Sequence, residues 1–121
     1  MKISFIEAKS PNPHIFSKYH IPRLGAVLLS TILREQGYTV KAFIEDIAEP
    51  DWSYIESSDI ACVSTITSTS ERAYRIADRL RKKGIPVVMG GAHPSFLPEE
   101  SIEHADYVVR GEGDVTLPEL I

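Results

Sequence analysis

The chain has 121 residues, 43% of them hydrophobic and 25% charged, with a formal net charge of −4; this is the make-up of one ordinary globular domain. The densest basic run, Arg79, Arg81, Lys82 and Lys83, falls where a helix should end, which argues against nucleic acid as the main partner. Uninterrupted apolar runs such as Ala26 to Leu29 are far too short for a membrane span, no signal peptide pattern is visible, and a lone cysteine, Cys62, can form neither an internal disulfide nor a cysteine metal cluster. A cytoplasmic setting fits these features.

Strand-like and helix-like periodicities alternate along the chain. Lys2–Glu7 reads as a strand, and a proline-rich loop follows it. A helix is expected from Pro22 or Arg23, with Leu24, Val27, Leu28, Thr31 and Ile32 on its apolar stripe and Gly37 at its end. Tyr38–Glu45 alternates as a second strand, and Asp51–Ser57 suits a short helical turn with Trp52 and Ile55 inward. Asp59–Thr65 is a nearly all-apolar third strand, as a strand covered on both faces should be. Small hydroxyl residues follow, and Ser68 or Ser70 can cap a helix whose Ala73, Ile76, Ala77 and Leu80 share one face up to Gly84. Pro86–Met89 is a fourth strand, Pro98–His104 a short helix, and Asp106–Arg110 a fifth strand. A last helix is hardly begun when the sequence stops, so the 121 residues are expected to form a single domain excised from a longer protein. Strand–helix alternation of this kind specifies an α/β domain, a doubly wound parallel five-stranded sheet with helices on both faces.

In such sheets ligands bind beyond the carboxyl ends of the strands. The unusual composition sits there: Ser64 to Ser70 after the third strand, Gly90, Gly91, Ala92 and His93 after the fourth, and Arg110, Gly111, Glu112 and Gly113 after the fifth. Two adjacent glycines offer bare main chain on which a ligand can lie, or supply a tight turn. Small hydroxyl side chains beside them suit a slot that admits something large and holds it by hydrogen bonds. His93 could touch a ligand's edge or cap the next turn. Arg110 and Glu112 could contact a ligand, or pair with each other and with a following domain. Gly111-x-Gly113-x-x-Thr116 falls short of a dinucleotide fingerprint, since the third glycine is absent.

Three segments together, Pro22-x-Leu24-Gly25, Gly90-Gly91-x-His93-Pro94 and Arg110-Gly111-Glu112-Gly113, resemble the N-terminal cobalamin (B12)-binding domain of cobalamin-dependent radical SAM proteins. The resemblance covers almost the whole chain. It implies a flavodoxin-like (Rossmann-like) sheet of order 2-1-3-4-5 that seats base-off cobalamin at its C-terminal edge, for methyl transfer or redox chemistry in a downstream domain. That domain would carry a 4Fe-4S cluster and S-adenosylmethionine. The resemblance places the cofactor's nucleotide tail beside Ser64, Thr65, Ile66, Thr67 and Ser68, and beside Gly90 and Gly91. No turnover is expected from this chain alone, since it lacks a three-cysteine cluster motif.

Many cobalamin domains ligate cobalt through an Asp-x-His-x-x-Gly motif after the first strand. Here that loop reads Asn12-Pro13-His14-Ile15-Phe16-Ser17, so His14 is the candidate cobalt ligand but lacks the carboxylate that would orient its ring. The preferred reading of His14, and likewise of His20, is a loop or lid residue. The competing function is a relative that binds no cobalamin and only docks on a radical SAM barrel. A phosphorylatable receiver is disfavoured because Ser64 and Arg110 stand where it needs Asp and Lys. A flavin domain is disfavoured because the hydroxyl-rich loop follows the third strand, not the first.

Overall fold

Five short strands, β1 (Lys2–Glu7), β2 (Thr39–Ile44), β3 (Ile60–Ser64), β4 (Val87–Gly90) and β5 (Tyr107–Val108), pair in the order β2-β1-β3-β4-β5, every neighbouring pair parallel. This is the flavodoxin-like arrangement. The computed structural model describes residues 1–9, 24–111 and 113–121. Asn12, His14, Ser17, His20, Pro22, Arg23 and Glu112 therefore lie outside the described residues.

Alternate residues of each strand feed two cores. On one face, Ile6, Ala61, Val63, Val87 and Met89 pack against Ala73, Ile76, Ala77 and Leu80 of α3 (Ser70–Lys82), with Ile55 of α2 (Trp52–Glu56) beside them. The spacing of the α3 residues puts them on one stripe, as the sequence indicated. Gly84, at φ +79°, ends this segment with its N–H on the Arg81 carbonyl at 2.9 Å. On the other face, Ile3, Phe5, Cys62 and Val88 meet Ala26 and Leu33 of α1 (Leu24–Glu35) and Leu117 of α6 (Gly113–Leu120). β3 is apolar from Ile60 to Val63 because both its faces are covered, and it ends on Ser64.

The structure corrects several local expectations. The buried stripe of α1 is Ala26, Ser30 and Leu33, with Leu29 half-buried; Val27 and Leu28, expected inward, are 43% and 55% exposed. The helix is apolar on more than one side, so packing against the sheet and α6 selects the face that is covered. Neither Ser68 nor Ser70 takes the N-cap of α3. That position falls to Thr69, after a 3-10 turn (Thr67–Thr69), and the Thr69 hydroxyl accepts the Ile66 N–H at 3.1 Å. The helix expected to reach His104 is α5 (Pro98–Ser101), continued only as a turn. An unexpected helix, α4 (Ala92–Phe96), follows directly on Gly91. β5 is shorter than Asp106–Arg110 because Asp106 accepts the Val87 N–H at 2.8 Å through its side chain, before the ladder begins.

Candidate functional site

The three central strands end level: Glu7 lies opposite Ser64, and Ser64 opposite Gly90. Period-2 alternation sends Phe5, Cys62 and Val88 toward α1 and α6, and on β3 and β4 the next residues on that face are Ser64 and Gly90. Side-chain volume thus falls from isopropyl and thiol groups to a hydroxymethyl group and a hydrogen at the carboxyl edge. The helices do not fill the difference. A hollow of about 350 Å³ remains, floored by Phe5, Cys62, Ser64, Val88 and Gly90 and walled by Ala26, Leu28 and Leu29 of α1, Leu117 of α6, and Val109. Gly113 lets α6 start close against α1, since a Cβ there would lie 3.3 Å from Leu29 Cδ1.

The two platform glycines have different reasons to be glycine. Gly91 sits at φ +109°, and a Cβ on it would lie 2.5 Å from the Thr65 carbonyl oxygen. No side chain fits there, because the clash is with main chain and the conformation itself is left-handed. The tight approach stitches the two loops together: Thr65 N–H donates to the Gly90 carbonyl at 3.1 Å and His93 N–H to the Thr65 carbonyl at 3.3 Å. At Gly90 a Cβ would meet only Val109, at 3.8 Å and beyond. Gly90 is therefore free to carry a side chain as far as the fold is concerned, and its bareness leaves the hollow open.

The sequence-derived candidates separate into groups. Ser64, Gly90, Gly91, Gly111 and Gly113 line the hollow. Thr65 is fully buried with its hydroxyl 2.7 Å from that of Thr69, an internal brace of the loop. Ile66, Thr67 and Ser68, around the 3-10 turn, and Ala92, at the start of α4, are exposed near the strand ends, and Arg110 is exposed between the lining residues Val109 and Gly111.

His93 is not among the residues that line the hollow. Its ring turns to the α3 face, where Nε2 lies 2.8 Å from Tyr74 Oη and 2.9 Å from Glu100 Oε2, and Nδ1 lies 3.2 Å from Thr67 Oγ1. Hydrogen bonds from Tyr74 and then His93 hold the Glu100 carboxyl below its ordinary value, and burial raises the Tyr74 hydroxyl. Tyr74 also stacks on His104, ring centroids 4.1 Å apart, and His104 Nδ1 is 3.0 Å from Asp78 Oδ1. The group closes the α3 side of the platform.

Sequence reasoning missed the α1 and α6 walls and the role of Ser95. The Ser95 hydroxyl donates to the Gly91 carbonyl and accepts the Gly111 N–H, each at 2.8 Å, and so ties the loops after β4 and β5. A serine three residues into a helix as short as α4 carries no signal of this. The wall residues could have been suspected from the all-round apolar character of 24–33.

Chemically the hollow is suited to holding a ligand rather than to reacting with one. Its described lining carries no charged side chain, one hydroxyl (Ser64), and the Cys62 thiol, whose pKa burial pushes up to about 12. Such a thiol stays protonated at neutral pH and is no nucleophile. Among the described residues no group of three or more His, Cys, Asp or Glu side chains is placed to hold a metal ion, and no helix is long and apolar enough to cross a membrane.

The chain is 47% identical over 62 residues to bacteriochlorophyllide d C-8(2)-methyltransferase of Chlorobaculum tepidum, covering 51% of this chain and 14% of that protein. It is 34% identical over 111 residues to an uncharacterized methyltransferase of Pyrococcus horikoshii, covering 83% of this chain and 24% of that protein. Bacteriochlorophyllide d C-12(1)-methyltransferase of C. tepidum is 36% identical over 62 residues, covering 51% of this chain and 14% of that protein. The chain therefore spans a quarter or less of the length of these curated relatives. The family described as B12 binding domain matches residues 16–121, and the chain belongs to that family.

Proposed function

We propose that this chain is a cobalamin-binding module that seats the cofactor base-off at the carboxyl edge of the sheet, its nucleotide tail in the hollow and its corrin ring outside. The observation that carries the reading is the pairing of Ser64 with Gly90 at the end of the floor, which keeps a hollow of about 350 Å³ open. That volume is within the range of ligand pockets, roughly 300–1,000 Å³, and it suits a tail rather than a whole corrinoid. Phe5, Leu29, Val88 and Leu117 would hold the base by burial, with Ser64 at the mouth for a polar contact. When bound, cobalamin supplies a transferable methyl group or an electron.

The full protein is proposed to be a radical SAM enzyme, of methyltransferase or oxidative cyclase type, in which a following domain holds the 4Fe-4S cluster and S-adenosylmethionine. The methyltransferase relatives support that context. In it, Arg110 serves as an interdomain contact. A second reading, a structural arm that binds no cobalamin, has one observation on its side: Gly91 is required by its own turn, so it would be glycine with or without a ligand. Hydroxocobalamin separates the two. The cofactor reading expects its visible absorbance to co-elute with the protein; protein that emerges colourless from a large excess of hydroxocobalamin would leave the structural arm.

A further inference from the structure

We infer that the hollow between the sheet and helices α1 and α6 selects among corrinoids by the base on the nucleotide tail, taking a benzimidazole in preference to a purine. The inference rests on the cofactor reading above and goes on to the ligand's identity.

The depth of the hollow is apolar. Phe5, Cys62, Val88 and Leu117 are each 4% exposed or less, and all four line it. The polar side-chain groups of the described lining are the Ser64 hydroxyl, on the last residue of β3, and a protonated thiol, a weak hydrogen-bonding partner. The main chain around the mouth is largely committed. The Gly111 N–H donates to Ser95 Oγ, the Gly91 carbonyl accepts from Ser95 N–H and hydroxyl, and the Gly90 carbonyl accepts from Thr65 N–H.

The candidate bases differ in what they would demand of such a wall. Adenine carries an exocyclic amino group and additional ring nitrogens along its edge. Dimethylbenzimidazole presents two methyl groups there. Methyl groups gain from burial against Val88, Val109 and Leu117, whereas an amino group enclosed by them gives up its water without replacement. Leaving one such group unpaired is worth roughly a tenfold loss of affinity or more.

Equilibrium dialysis of the protein against three corrinoids tests this: cobalamin, its adenine-bearing analogue, and cobinamide, which has no base. The expected result is cobalamin bound at least about tenfold more tightly than the adenine analogue, with cobinamide weaker than cobalamin. Leu29→Gln puts an amide on the wall and should narrow the ratio severalfold; Val109→Thr serves the same purpose should Leu29→Gln fail to fold. Equal affinity for the two base-bearing corrinoids overturns the selectivity and leaves the cofactor reading standing. Failure of all three to bind overturns the cofactor reading, and the selectivity falls with it.

Discussion

The two faces of the sheet are made from alternate residues of the same strands, yet they end differently at the carboxyl edge. On the α3 face Ile6, Val63 and Met89 pack into the apolar core, and a polar group of Tyr74, His93, Glu100 and Thr67 lies at its edge. Behind β2, buried Glu45 completes the closure by pairing with Arg72 at 2.8 Å. On the α1/α6 face the floor runs out into Ser64 and Gly90, and the helices stand off. Where β3 and β4 end, one side is packed and the other is left open. A rigid platform beside an open slot is what a bound cofactor needs, since ordering the site in advance lowers the cost of binding.

The largest effect should come from the platform turn. Gly91→Val forces a side chain onto the Thr65 carbonyl at a left-handed φ, and should cost about 3 kcal/mol or more in urea unfolding. Gly90→Ala, one residue earlier, should stay within about 1 kcal/mol of wild type. Equal losses at both positions would erase the distinction between them.

Next in size, Leu80→Ala on the filled face should cost about 3 kcal/mol. Leu29→Ala on the open face should cost about 1 kcal/mol, because Leu29 is half-buried beside existing empty space. The same two denaturation curves sharpen the contrast between full and hollow faces.

His93→Ala should lower stability by about 2 kcal/mol, since it strips partners from Tyr74 and Glu100. Its effect on cofactor affinity should be smaller than that of changes in the hollow, because the ring faces away from it. A loss of affinity as large as that of a hollow-filling variant would mean that the two faces are not independent.

Acid should weaken the closed side. Glu100 and Glu56 have folded-state values below the ordinary 4.5, through Tyr74 and His93 for the first and chiefly Arg79 for the second. Their stabilising contribution is complete above that ordinary value and is lost as pH falls through the lower folded values. Glu100→Gln should flatten this part of the stability–pH curve; an unchanged acid limb would contradict the assignment. The smallest effect is chemical. Cys62, with its thiol pushed up to about 12, should resist iodoacetamide at pH near 8 in folded protein and react once unfolded.

Strong periodicity made much of this legible. The α3 stripe and the bounds of β1 could be read because one face is apolar and the other polar, or because both are buried. α1 resisted because Ala26 to Leu29 is apolar on every side, and only its packing on β1, β2 and α6 decides which side is covered. α4 resisted because a five-residue helix containing Pro94 looks like a loop; its proline is tolerated because it lies in the first turn. The direction of the His93 ring depends on α4, so it was hidden too. The hollow was legible as a place, the strand ends with Ser64 and Gly90, but not as a shape, because its walls come from helices whose buried faces were ambiguous.

The most direct measurement is hydroxocobalamin binding by wild type and Gly90→Leu, followed by equilibrium dialysis with circular dichroism as the check on folding. Wild type should hold close to one corrinoid per chain, while Gly90→Leu keeps its spectrum and loses the ligand, because the leucine occupies the space beside Val109. Binding undiminished in folded Gly90→Leu would contradict the claim that this hollow is the seat.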